Sequence, residues 1–152
     1  MSTGRFLLRS VALGTALGGF AADWNRTHLF NPAWPPHARF HDAQTIALGA
    51  LLGGAALQCL RTDDDARRVA LGAGLPALFW TSMAASFVFP GTAGMQSEFP
   101  ELVPQVRGVW IDERFAAGLM LMVGLGGYVL ERRRPRRGGP ERARPSTPDL
   151  GG

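Results

Sequence analysis

The only histidines in the chain are His28, His37 and His41, and all three lie within residues 28–41. Imidazole is the side chain that exchanges protons near neutrality and ligates transition metals, so any chemistry is expected here. Asp23, Asn31, Trp34, Arg39, Asp42 and Gln44 lie in or beside the same stretch. Pro35 and Pro36 suit the first turn of a helix, which predicts a helix opening at this point. In that helix His37 and His41, four residues apart, share one face, and Gln44 and Thr45 continue the polar stripe.

Three readings of this cluster compete. In the first, His37 or His41 acts as general acid or base on a lipid-soluble substrate. Asp23 or Asp42 orients them, Arg39 holds an anion or an acid, and His28, Asn31, Trp34 and Gln44 contact the ligand. In the second, His28, His37 and His41 ligate a transition metal, since imidazole suits zinc, iron or copper. No Glu follows His37 as it does in the zinc-protease motif. In the third, the histidines, Asn31 and Arg39 only hydrogen-bond the loop's carbonyls and pin a proline-rich connection onto the helix ends.

The elements that must carry these residues are four apolar runs at 6–22, 43–60, 69–90 and 113–130. A helix of that length covers about 26–33 Å, close to the hydrocarbon thickness of a bilayer. Residues 43–60 and 69–90 contain no charge, so no face of those helices suits water. The fold expected is therefore all-α, a polytopic membrane protein with four transmembrane helices in an up-down bundle. Arg9 is expected to snorkel to the headgroups. Arg5 ahead of an apolar core also resembles a signal peptide, whose cleavage would leave three spans.

An internal echo joins VALGTALGG (11–19) to IALGALLGG (46–54). Gly14 with Gly18, and Gly49 with Gly53, are spaced to let helix backbones approach closely. A ligand groove beside those glycines is the alternative. Pro76 is expected to kink the third helix.

With the N-terminus inside, twelve arginines fall on the cytoplasmic side and four on the other, which obeys the positive-inside rule. The protein is expected in the inner membrane with both termini cytoplasmic and residues 23–42 and 91–112 on the outer face. The Arg- and Pro-rich tail, 132–152, is expected to be disordered beside anionic headgroups, as a topology signal and not a nucleic-acid site. Cys59 stands alone, so it forms no intrachain disulfide and reads as a small buried hydrophobe. In the second outer loop Asp112 suits the N-cap of the fourth helix and Glu113 its positive end. Arg114 opposes that dipole and is expected to bridge to Asp42 or Asp23. Asn25-Arg26-Thr27 fits a glycosylation sequon. No phosphate loop, nucleophile elbow or dinucleotide fingerprint is present.

The segment DWNRTHLFNPAWPPHARFH, residues 23–41, resembles an uncharacterised family of small four-helix membrane proteins with the signature D-x-N-x-T-H-x-x-N-P-x-W-P-P-H-A-R-F-H. The resemblance implies a four-span layout in which this segment is the working part. Together these readings point to a small membrane-embedded enzyme or binding protein for a hydrophobic ligand. The rivals are a non-catalytic membrane component whose outer loops dock a partner, and a His-ligated metal protein.

Overall fold

The computed structural model describes residues 1–61 and 65–134, and within them the chain is all-α apart from one short hairpin. Helices α1 (Thr3–Ala22), α2 (Pro36–Cys59), α3 (Ala66–Ser86) and α4 (Glu113–Arg132) form an up-down bundle. Each packs on its neighbours in sequence, and α4 closes the ring against α1. Three starts are capped by side chains: Ser2 accepts the Arg5 N–H, Asp65 that of Arg67, and Asp112 those of Arg114 and Phe115. α2 has no side-chain cap and opens instead on Pro35 and Pro36, as their fixed φ favours.

The third apolar run gives out as helix at Ser86, four residues short of Pro90. Proline disfavours helical backbone at the residue before it, and the Thr92 hydroxyl donates to the carbonyls of Ser86 and Phe89, satisfying the end. α3 passes through Pro76 without a break in its assignment. The tail beyond 134, which the sequence predicts to be disordered, lies outside the described residues.

Small residues set how closely the helices approach. A Cβ on Gly53 would lie 2.4–2.7 Å from backbone atoms of Ala12 and Ala16, and one on Gly49 2.9 Å from the Thr15 carbonyl. Those two glycines do bring α2 against α1. Gly14 and Gly18 do not act alike: Gly14 meets only the end of Met120, and Gly18 has nothing within 4 Å. An unanticipated contact pairs Gly4 with Gly127, where α1 crosses α4.

At the end of the bundle holding the N-terminus, Arg9 does not extend away to solvent. Its Nε and Nη2 donate to the Leu60 carbonyl at 3.2 and 2.9 Å. Arg5, 1% exposed, donates to the same carbonyl at 3.0 Å and lies 3.5 Å from Glu131 Oε1. Glu131 also accepts the Ser2 hydroxyl, so α1, α2 and α4 are clasped together through charge. The open carbonyls of α2's last turn attract these guanidinium groups more strongly than water does from one turn away.

α3 and α4 are long and apolar enough to cross a membrane. α1 and α2 are of similar length, 20 and 24 residues. Around the outside of the bundle Leu13, Leu17, Leu51, Leu71, Leu78, Leu119, Met122 and Leu125 are all exposed.

At the opposite end, residues 87–112 fold over the helices through two single 3-10 turns, Met95–Ser97 and Pro100–Leu102, and a hairpin. The hairpin pairs β1 (Gln105–Val106) with β2 (Val109–Trp110). Arg107 (φ 50) and Gly108 (φ 82) form its two-residue turn, both left-handed as a type I′ turn requires.

Candidate functional site

The C-terminal ends of α1 and α3 and the N-terminal ends of α2 and α4 meet around a cavity of about 490 Å³, roofed by residues 95–111. Gly14, Gly18, Phe79, Trp80 and Met83 supply apolar wall. Asp23, His28, Asp42, Thr45, Asp112 and Glu113 supply its polar side. Trp80 crosses the interior and donates its indole N–H to the Thr15 hydroxyl at 2.8 Å. Asp42 Oδ2 and Glu113 Oε2 are buried without a hydrogen-bond partner among the described residues. The other Glu113 oxygen accepts the Met95 N–H at 2.9 Å, tying the roof to α4.

Asp23, directly after α1, and His28, in the following loop, form the centre of the polar side. His28 Nε2 lies 3.8 Å from Asp23 Oδ1, within ion-pair range but beyond a hydrogen bond. The protons on the far side of the ring follow from a chain of donors. The backbone N–H of Thr27 must donate, so the Asn25 atom it meets at 2.8 Å is Oδ1. The Thr27 hydroxyl, 2.6 Å from that same oxygen, must therefore donate as well. Its oxygen is then an acceptor for His28 Nδ1, 2.9 Å away. Nδ1 carries the proton, and Nε2 is left as the basic nitrogen beside Asp23. Trp34 packs edge-on to the ring, 5.8 Å between centroids, holding its plane.

Burial pushes the Asp23 carboxyl up to about 6. His28 opposes that rise, while the charges of Asp42 and Glu113 reinforce it. An acid lifted into the range where imidazoles titrate, next to an imidazole whose free nitrogen faces it, can hold and release a proton near neutrality. Asp112 behaves oppositely. Its own burial opposes ionisation, yet the Arg114 side chain and the Phe115 and Arg114 N–H groups outweigh it and hold the carboxyl below the usual range.

The other residues singled out in the sequence are placed elsewhere. His37 and His41 do share a helix face, with their Nε2 atoms 3.1 Å apart, but both are exposed and neither lines the cavity. His37 also stacks on Phe40. The helix turns them away from the cavity that Asp42 and Thr45 face. Gln44 is likewise exposed. Asn31 is buried: its side chain donates to the Thr27 carbonyl and accepts the Ala33 N–H, and its own carbonyl accepts Arg39 Nη2 at 2.8 Å. Arg39 thus fastens α2 to the loop. Arg114 bridges neither Asp42 nor Asp23; it folds back on Asp112, with hydrogen bonds of 2.9 and 2.5 Å, and covers the Phe87 ring.

Among the described residues no group of three or more His, Cys, Asp or Glu side chains is gathered closely enough to hold a metal ion. His28 is not placed with His37 and His41 in such a group. Sequence reasoning overlooked Trp80, Thr15 and Glu113 as cavity residues, and it read Asn25 and Thr27 as a sequon and as part of the 23–41 signature, without their role in orienting His28. Their spacing from His28 is the signal that Asx-type hydrogen bonding would have supplied.

No curated protein and no solved structure matches the chain. A family model does, over residues 7–143. This span takes in all of the four helices except the first four residues of α1, together with the whole of the cavity lining, and the chain belongs to that family, a family of unknown function (DUF6640).

Proposed function

We propose that this is a four-span membrane protein with both termini in the cytoplasm, whose outer cavity binds a small hydrophobic molecule by a basic or hydrogen-donating end. Asp23 and His28 are its proton-exchanging pair. The observation that carries this reading is the cavity itself, whose lining joins apolar and aromatic side chains with an imidazole and carboxylates. Such a lining suits an amphiphilic ligand approaching from lipid. The exposed leucines around all four helices support a lipid environment, and the apolar lengths of α3 and α4 are consistent with it. The arginine count supports the orientation, which would put the clasp of Arg5 and Arg9 on Leu60 at the cytoplasmic end.

The polar side of the cavity has acids and one histidine but no arginine. A ligand with an amine end is therefore favoured over one with a carboxylate or phosphate. Asn25 and Thr27 position the ring, and burial, helped by the charges of Asp42 and Glu113, raises the pH at which Asp23 ionises.

The test uses the full chain in phosphatidylcholine nanodiscs and an eight-carbon alkylamine bearing a photoreactive diazirine at its last carbon. Cross-links should map to the cavity wall, and His28→Gln and Asp23→Asn should each lose them. Equal labelling of both variants would overturn the assignment. For orientation, Ala33→Cys in a Cys59→Ala background should react with an impermeant maleimide in spheroplasts. Reaction only after permeabilisation would reverse the topology.

A further inference from the structure

A second cavity, of about 400 Å³, lies lower in the bundle between α1, α3 and α4. Its wall is almost wholly apolar and includes Val11, Ala73, Gly74, Gly124, Leu125 and Tyr128. It follows the same seam as the outer cavity. On α1 the lining passes from Gly18 and Gly14 above to Val11 below; on α4 it passes from Ala116 above to Met120 and Gly124. Met120 stands at the join. Its terminal methyl sits over Gly14, 2.6 Å from where a Cβ would be, so the residue beneath it must be glycine for the methionine to occupy that place.

Methionine is unbranched and turns about three bonds, which makes it a partition that can be displaced without moving a helix. Below it, nothing polar except the single Tyr128 hydroxyl lines the space, so a charged group has no partner there, while a hydrocarbon chain does. Above it, the carboxylates of Asp42 and Glu113 each have a buried oxygen without a partner among the described residues.

We infer that the occupant of the outer cavity is a single-chain amphiphile with an amine head, whose tail displaces Met120 and runs into the lower cavity. The inference rests on the binding role proposed above and narrows it to a long-chain ligand, with charge complementarity at the head and an apolar sleeve for the tail. Met120 measures chain length: a short tail ends above it, and a long tail passes it.

The experiment compares two diazirine-tipped alkylamines, of eight and sixteen carbons, on the full chain in phosphatidylcholine nanodiscs. The eight-carbon probe should label outer-cavity residues such as Met83 and Ala116. The sixteen-carbon probe should label Ala73 and Tyr128. Met120→Trp should abolish the lower labels of the long probe and leave those of the short one. Gly124 has only Val11 Cγ1 near its would-be Cβ, at 3.9 Å, so Gly124→Leu fills the lower space without a backbone clash and should give the same loss.

If the long probe labels only lipid-facing positions such as Leu71 and Met122, or if both variants keep the lower labels, the inference is overturned while the outer site stands. If the short probe also misses the outer cavity, the binding role fails first, and the inference with it.

Discussion

His28 presents the basic nitrogen of its ring to Asp23 across 3.8 Å because Asn25 and Thr27 occupy the other nitrogen. The two residues are five apart in sequence, and the backbone between them folds back so that the Leu29 N–H reaches the Asp23 carbonyl at 3.1 Å. One short loop thus builds the pair, while the packing of the helices around it supplies the burial and the Asp42 and Glu113 charges that raise the Asp23 carboxyl. Titration of Asp23 should be readable in the stability of the whole fold.

Asp23 ionises near 3.8 when unfolded and about 6 in the fold. An acid whose folded value is raised favours the fold below its unfolded value and loses that contribution as pH climbs through the folded one. The protein should thus become less stable between about pH 4 and pH 6. A rise of roughly two units corresponds to at most about 3 kcal/mol. Asp23→Asn should flatten this slope, leaving the part due to Asp42, whose carboxyl burial also raises, and Asp42→Asn should move the Asp23 part to lower pH by removing a repulsive neighbour. Unfolding curves in mixed detergent at pH 4, 5.5 and 7 decide it; an unchanged slope in Asp23→Asn shows that another group titrates.

His37 and His41 face outward, so His37→Gln and His41→Gln together should leave labelling by the eight-carbon alkylamine intact and shift stability by no more than about 0.5 kcal/mol. Zn²⁺ should perturb the ring resonances of these two histidines and not those of His28. A Zn²⁺-induced shift at all three would restore the three-histidine metal site that their sequence spacing suggests.

The sequence makes the helices legible because apolar periodicity and length are local properties. The α2 start at Pro36 and the Asp112 cap follow from single residues and their immediate neighbours. The cavity is legible only in part. Asp23, His28 and Asp42 could be named as polar groups near one face, but which of the three histidines turns inward depends on the loop that carries His28 and the rotation of α2. Neither is fixed by spacing. Trp80 and Thr15, 65 residues apart, read as ordinary span residues until packing brings them together. The hairpin at 105–110 was hidden because its turn uses Arg107 in a left-handed conformation, where Asn or Asp would have been the usual sign.

The backbone approach of α2 to α1 separates two adjacent glycines. A methyl on Gly53 would press on α1 backbone, whereas Gly54 has nothing within 4 Å. Gly53→Ala should cost about 1–3 kcal/mol by forcing the helices apart. Gly54→Ala should be neutral or stabilising by up to about 1 kcal/mol, since alanine is the better helix former. Denaturation in increasing dodecyl sulfate compares them directly, and equal effects at the two positions would mean that α1 and α2 do not meet here.

The bond from Trp80 to Thr15 is the polar contact that spans α3 and α1 at the side of the cavity, and both residues are buried. Losing Thr15 alone leaves the indole N–H without a mate in an apolar wall, a penalty that is absent when Trp80 is lost as well. Trp80→Phe and Thr15→Val should therefore be less than additive, with a coupling of about 0.5–1.5 kcal/mol in a double-mutant cycle. Thr15 also donates to the Val11 carbonyl at 2.8 Å, so its hydroxyl proton is committed and its oxygen is the acceptor Trp80 needs. Thr15→Ser keeps that arrangement and should recover most of the coupling. Strict additivity of the two losses would show that the indole finds another partner and that the bond does not hold α3 to α1.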